Sequence, residues 1–319
     1  MFLAADIGGT KTLVALGDEG GVRFRRRFLN DDHSGAAALI GAFLREAAAA
    51  GLPAAAEGSC LALAGPVAAG GGRARLTNRP WEVDAEQLAR ALPLGPVSLL
   101  NDFAASAVGI ATLGAEERLV LQAGEPCPGS PRLVLGPGTG LGVAALLDGG
   151  DILASEAGHI GFAPANREQR DLLAYLAQGH GRVTVERIVS GPGLALCHQF
   201  CGDANATLAP AEISRRALAG DDPVSARALD LFLAVFGAFA GDMALSFLAR
   251  GGIFLAGGIV PKILPRLIDG PFLAAFNDKA EYAALAAAMP VVAVRSEDLA
   301  LQGALATASG RAGGLRAAG

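Results

Sequence analysis

Asp6-Ile7-Gly8-Gly9-Thr10 ends an apolar run with a carboxylate followed by a glycine turn, and Gly136-Pro137-Gly138-Thr139-Gly140-Leu141-Gly142 repeats that chemistry later in the chain. Glycines lack a Cβ, so backbone N–H groups can converge on an anion, and threonine hydroxyls add neutral donors beside them. Two such cradles, Gly8, Gly9 and Thr10 in the first and Gly138, Thr139 and Gly140 in the second, suit a polyphosphate gripped from both sides. Asp6 stands where a hard oxygen donor would face phosphate-bound Mg²⁺ through water. Lys11 can face phosphate or solvent. Gly257 and Gly258, after the apolar run Gly252 to Ala256, would let a flat base approach the backbone.

A second group of residues suits an alcohol. Asn101-Asp102 stands where the apolar run Val97 to Leu100 gives way to Phe103-Ala104-Ala105. Asn and Asp there can simply cap a helix, but a carboxylate at a strand end can also accept a proton from an attacking hydroxyl. Glu156 and His159 flank small residues and could bind adjacent hydroxyls; a metal site would need a third ligand nearby. Glu186 is either a further hydroxyl acceptor or a solvent-facing charge paired with Arg187.

Alternating strands and helices must position these groups, which argues for an α/β architecture. After the first turn, Val22 to Phe28 predicts a third strand, Ser34 a cap for a helix to Ala50, Gly58 to Ala64 and Arg73 to Asn78 further strands, and Asp84 the cap of a short helix. The scheme starts again near Leu119, with strands at 133–136, 143–147 and 152–154. Helices are expected at about 168–178, 192–200, 211–218 and 224–248, strands at 252–256 and 291–294, and a last helix at about 299–309. Two similar halves imply a duplication with ligands in the cleft between them. The terminal helix should pack back on the first half, with hinges near 103–118 and 296–300 and a frayed tail from Gly310 to Gly319.

Composition narrows the classes. At 319 residues and 52% hydrophobic, the chain can bury large cores and reads as two domains. A net charge of −5, with no basic run longer than Arg25-Arg26-Arg27, offers no footprint for nucleic acid. The start of the chain lacks the basic and apolar regions of a secretory signal, which points to a cytoplasmic protein. The apolar stretch Leu229 to Leu248 is interrupted by Asp230, Gly237, Gly241 and Asp242, so a buried helix rather than a membrane span is expected. Cys60, Cys127, Cys197 and Cys201 read as reduced, idle thiols.

Together the motifs resemble the bacterial glucokinase family of the sugar kinase, Hsp70 and actin superfamily. The matching residues are Asp6-x-Gly-Gly-Thr10, Leu63-Ala64-Gly65-Pro66-Val67, Thr77-Asn78-x-x-Trp81, Leu100-Asn101-Asp102-Phe103-Ala104, Gly136-x-Gly-Thr-Gly-Leu-Gly142, Glu156-x-Gly-His159, Glu186-Arg187-x-x-Ser190-Gly191-Pro192-Gly193 and Gly257-Gly258-Ile259, in order along almost the whole chain. The absence of cysteine from residues 160 to 180 separates it from the related ROK kinases and repressors, which carry a zinc motif there. Lys11 in place of a frequent Asn, Pro137 in the second turn and Ala157 in place of a common Gly are departures.

The resemblance implies a two-domain actin-like ATPase (ribonuclease H-like) fold, with duplicated mixed sheets flanked by helices and an interdomain cleft. The small domain would span 1–102 with the terminal helix of about 300–319, and the large domain 103–299. It also implies ATP- and Mg²⁺-dependent phosphorylation of the glucose 6-hydroxyl by a cytoplasmic homodimer, with neither nucleic acid nor membrane as partner. Carried over by motif, Asp102 is the base, and Asn101, Glu156, His159 and Glu186, with Asn78, hold sugar hydroxyls. A sugar-sensing regulator would need an effector-reading module such as a helix-turn-helix. An actin-like ATPase without a sugar would leave Asn101, Glu156, His159 and Glu186 without a shared purpose.

Overall fold

The apolar run after Met1 forms β1 (Phe2–Ile7), which turns back through Gly8-Gly9-Thr10 into β2 (Lys11–Asp18) and again into β3 (Gly21–Leu29). The computed structural model describes residues 1–202, 207–311 and the backbone of 316–317. It divides the chain into two units, one of residues 1–113, 149–154 and 298–319, the other of 114–148 and 155–297. Most of the tail expected to fray lies outside the described residues.

In the first unit the β-meander is followed by α1 (Ala36–Ala49), β4 (Gly58–Leu63), β5 (Arg73–Arg75), β6 (Glu82–Asp84), α2 (Ala85–Ala91), β7 (Val97–Asn101) and α3 (Asp102–Gly109). The sheet order is β3-β2-β1-β4-β7. β1 pairs antiparallel with β2 and parallel with β4, which pairs parallel with β7. β4 is buried along its whole length, as a central parallel strand should be. Helix α1 lays Leu39, Ile40, Phe43, Leu44 and Ala47 against this sheet, the three-to-four spacing of one helical face. Asp84 caps α2 by accepting from the Gln87 N–H, as its type and place predict. Ser34 caps nothing: α1 starts one residue later, behind Gly35, without a side-chain cap. The strand expected at 73–78 stops at Arg75, because the Thr77 N–H leaves the β5–β6 pair to bond the Ala64 carbonyl.

The second unit holds β8 (Arg118–Gln122), β9 (Arg132–Pro137) and β10 (Leu141–Leu146). Strand β11 (Asp151–Ser155) comes next in the chain, its residues 151–154 belonging to the first unit. Helices α4 (Arg167–Ala177), α5 (Gly191–Cys201), α6 (Pro210–Ala219) and α7 (Pro223–Phe247) precede β12 (Gly252–Leu255). Three short helices, α8 (Leu264–Asp269), α9 (Phe272–Asn277) and α10 (Ala283–Ala287), lead to β13 (Val291–Val294). The pairing repeats that of the first unit: β9 is antiparallel to β10 and parallel to β12, and β12 is parallel to β13. This recurrence of β2-β1-β4-β7 as β10-β9-β12-β13 is the structural trace of a duplication, and β8 extends the second copy in antiparallel sense.

Helix α7 is long and apolar enough to cross a membrane, yet the protein itself covers 72% of its most apolar stretch. Phe232 and Phe236 on α7 and Phe272 and Phe276 on α9 are fully buried together, each burial contributing about 1.5–3 kcal/mol. The polar interruptions of the helix are all employed: Asp230 holds Arg266 through two 2.6 Å hydrogen bonds, Asp242 pairs with Lys279, and Gly237 and Gly241 let α9 approach. The last helix, α11 (Leu299–Ala308), belongs to the first unit and packs on α3 and β1, meeting α3 where Gly303 abuts the Ala105 carbonyl. Strand β14 (Arg316–Ala317) pairs in parallel with β11.

Candidate active site

Register places the catalytic candidates of the first unit at one edge of its sheet. Ile7, Leu63 and Asn101 stand side by side on β1, β4 and β7, so the first glycine turn and the Asn101-Asp102 corner leave the sheet together at its carboxyl edge. Ligands of open α/β sheets collect at such edges. Asp6 is half-buried there. Desolvation pushes its carboxyl up to about 6, Lys11 pulling it down and Asp298 pushing it further up. The four residues Gly8 to Lys11 link the paired Ile7 and Thr12, with Gly8 N–H donating to the Lys11 carbonyl at 3.1 Å. Asn78 is exposed and close, its Cβ 3.5 Å from where a Gly9 Cβ would sit. A cavity of about 550 Å³ is lined by Pro66, Thr77, Asn78 and Arg79.

Asn101 is the N-cap of α3. Its Oδ1 accepts from Phe103 N–H at 3.0 Å and Ala104 N–H at 3.3 Å, and its Nδ2 donates to the Gly65 carbonyl at 3.3 Å. Asp102 opens the helix, half-buried, with Oδ1 accepting from Phe103 N–H at 2.9 Å. A carboxylate in the first turn of a helix is favoured by the helix dipole. The Leu63-Ala64-Gly65-Pro66-Val67 motif brackets the edge: Ala64 N–H bonds the Ile7 carbonyl, the Ala64 carbonyl takes Thr77 N–H, and Gly65 takes Asn101.

In the second unit Leu135, Leu255 and Ala293 align on β9, β12 and β13, so the second glycine turn and Gly257-Gly258 share a carboxyl edge as well. The turn Gly138-Thr139-Gly140 closes over three residues, between the paired Pro137 and Leu141. Gly138 N–H donates to the Gly140 carbonyl, and the Gly138 carbonyl accepts from Gly191 N–H at the start of α5, both at 2.8 Å. Glu186, in a single turn of 3-10 helix, directs Oε2 to Leu141 N–H at 2.8 Å, and a Cβ on Gly140 would run into that carboxylate. Its Oε1 lies 3.5 Å from His159 Nε2, while His159 Nδ1 lies 3.7 Å from Glu156 Oε2. Glu156, His159 and Glu186 therefore form one row of acceptors and an imidazole. The row is open to solvent at Glu156 and His159 and half-buried at Glu186.

The glycines at this edge divide by role. Gly257 has φ +86°, and a Cβ there would sit 2.6 Å from the Pro137 carbonyl, so its glycine is required by the backbone. Gly138 and Gly258 face open space. The cysteines are free; burial pushes Cys60 up to about 12, Cys201 to about 11 and Cys197 higher still, which removes the reactive thiolate. No cluster of three or more His, Cys, Asp or Glu residues suited to a metal occurs among the described residues.

Two residues at the first edge escape sequence reasoning. Asn30 is fully buried, donates from Nδ2 to the Gly8 carbonyl at 2.8 Å and accepts from Thr12 Oγ1 at 2.7 Å. Arg79 donates from Nε to the Gly9 carbonyl at 2.6 Å, pairs with Asp31, and lies 5.1 Å over the Trp81 ring. The x positions of Thr77-Asn78-x-x-Trp81 carry no signal for this, because the partner is 70 residues away in sequence.

Residues 3–311 match the glucokinase family model. A glucokinase of Nostoc sp. is 37% identical, the alignment covering 95% of this chain and 97% of that protein. The crystal structure of a glucokinase from an Antarctic psychrotroph superposes with a TM-score of 0.81 at 30% identity, covering 97% of this chain and 98% of that one. That of Balamuthia mandrillaris glucokinase in complex with glucose has a TM-score of 0.80 at 25% identity, covering 96% and 93%. These likenesses fix the architecture as the actin-like ATPase fold, with its duplicated mixed sheets flanked by helices. The chain belongs to the glucokinase family.

Proposed function

We propose that this enzyme transfers the γ-phosphoryl group of ATP to the 6-hydroxyl of glucose, giving glucose 6-phosphate and ADP, the entry step of glycolysis. The observation that carries the proposal is the shared sheet edge in the first unit, where the Asp6-glycine turn follows β1 and the Asp102 carboxylate follows β7, the two strands that flank β4. Phosphoryl transfer asks for little covalent chemistry from the protein; positioning and charge stabilisation dominate. In this reading Asp102 accepts the proton of the 6-hydroxyl as that oxygen attacks phosphorus. Asn101, already fixed by its capping bonds, holds a neighbouring hydroxyl through its remaining hydrogen-bonding capacity. Glu156, His159 and Glu186 take further sugar hydroxyls, the carboxylates as acceptors and the imidazole as donor or acceptor. Asn78 is assigned to the sugar side.

The turns Gly8-Gly9-Thr10 and Gly138-Thr139-Gly140 are assigned to the nucleotide phosphates, and Gly257-Gly258 to the base. Asp6 fits Mg²⁺: it is a hard oxygen donor whose desolvation and neighbouring Asp298 both favour a cation. When bound, Mg²⁺ would neutralise charge on the phosphate oxygens. We further assign the enzyme to the cytoplasm and to a homodimer, as other members of its family lead one to expect. A coupled assay tests the reaction: ATP should be consumed only when a hexose is added, with glucose phosphorylated at the 6-hydroxyl. ATP consumption independent of sugar would reject it, and light scattering at assay concentration gives the oligomeric state.

A further inference from the structure

We propose that Arg79, with Asn30, is a positioning residue that aims the N–H groups of the first glycine turn. A turn that binds an anion through backbone amides must also turn its carbonyls away, and glycine, with its wide φ/ψ freedom, does not fix that orientation by itself. Here both carbonyls have a dedicated donor: Asn30 Nδ2 holds Gly8 and Arg79 Nε holds Gly9. The peptide bonds are trans, so N–H and C=O of one unit point in opposite directions. Anchoring the Gly8 carbonyl therefore aims the Gly9 N–H, and anchoring the Gly9 carbonyl aims the Thr10 N–H. Each donor also polarises the peptide it binds, which strengthens the N–H at its other end.

The two clamps are rigid and share a base. Asn30 is fully buried, its Oδ1 takes the Thr12 hydroxyl, and its own N–H donates to the Thr10 carbonyl at 2.9 Å. Asp31, the next residue on the same single-turn 3-10 helix, pairs with Arg79. The Arg79 side chain is only 16% exposed and is sandwiched between Asp31, the Gly9 carbonyl and the Trp81 face. A mostly buried guanidinium needs such partners to be tolerated, and Trp81 adds a cation–π contact.

This inference rests on the nucleotide assignment of the first turn, and three variants separate the two. Arg79→Met keeps the apolar stem over Trp81 and removes the donor and the charge. Its KM for ATP should rise about tenfold, and the Kd of a non-hydrolysable ATP analogue by calorimetry likewise, with glucose KM within about twofold. Arg79→Lys, charged but unable to reproduce the fork, should recover only part of that loss. Trp81 is the sole tryptophan, so its emission should change on nucleotide binding in the parent and lose that response in Arg79→Met. A merely structural role would lower Tm and the active fraction but leave ATP KM and the Trp81 response intact, and would overturn the inference. Should Arg79→Met fail to fold, Arg79→Lys carries the same decision: ATP KM unchanged overturns it, ATP KM raised supports it. Gly9→Val tests the assignment beneath. If it raises ATP KM while Arg79→Met does not, the clamp is wrong and the assignment stands; if it leaves ATP KM unchanged, both fall.

Discussion

The two glycine turns are steadied by different means, a four-residue link between paired residues in the first and a three-residue link in the second. In the first unit side chains clamp the turn: Asn30 and Arg79 each take one carbonyl, and both are rooted in a buried or ion-paired network. In the second unit the backbone bonds run through Gly191 and Gly140, and the side chain of Glu186 adds an acceptor for the Leu141 N–H. Glu186 also faces His159, so the second turn is tied to the candidate sugar residues and the first is tied to the loop carrying Asn78. After a duplication the copies kept the strand order and diverged in what steadies each turn. One was braced by basic and amide donors, the other merged with a hydroxyl-binding row.

That contrast is open to experiment, beginning with the largest effect. Glu186→Ala frees Leu141 N–H and removes a partner of His159, so kcat/KM for glucose should fall roughly 100-fold or more, with ATP KM raised as well. An effect on only one substrate would separate the turn from the row. Gly257→Ala forces a Cβ toward the Pro137 carbonyl at positive φ; it should cost about 1–3 kcal/mol, read as a Tm lower by several degrees. Gly138→Ala has room for its methyl, so Tm should hold within about 1 °C while ATP KM rises several-fold, the methyl standing where phosphate would approach. The reverse pattern in these two glycine variants would exchange their roles.

The smallest effect concerns Asp6. Its folded carboxyl titrates near 6 rather than the usual 3.8, so the folded state binds that proton more tightly than the unfolded chain. The stability this contributes is present in full below the ordinary carboxylate value and lost as pH rises through about 6. Asp6→Asn removes the dependence: without added metal its Tm should match the parent near pH 4 and exceed it by a few degrees near pH 7.5. A gain at pH 4 that vanishes at pH 7.5 would reverse the sign.

Much of this was legible in the sequence, for reasons that sort by range. The glycine turns, the β-meander, the buried parallel strands and α7 are written in local apolar runs and glycine positions, and the structure has them where composition puts them. Asp84 is a cap that its type and neighbours announce; Ser34 is a capping type at a place where the helix starts one residue later. The short helices α8 to α10 left no periodic signal because none exceeds six residues. Asn30 and Arg79 look like ordinary polar residues, since their work is done on carbonyls 22 and 70 positions away. The meeting of Glu156, His159 and Glu186 was readable as a shared purpose but not as a row, because the loop that returns Glu186 to the second turn depends on tertiary packing.

The proton acceptor is the hinge of the functional account, and Asp102→Asn tests it most directly. With ATP and glucose saturating, kcat should fall by roughly 10²–10⁴-fold, while calorimetry shows glucose bound with affinity within a few-fold of the parent. Turnover within threefold of the parent, with the variant folded and glucose bound, would contradict it.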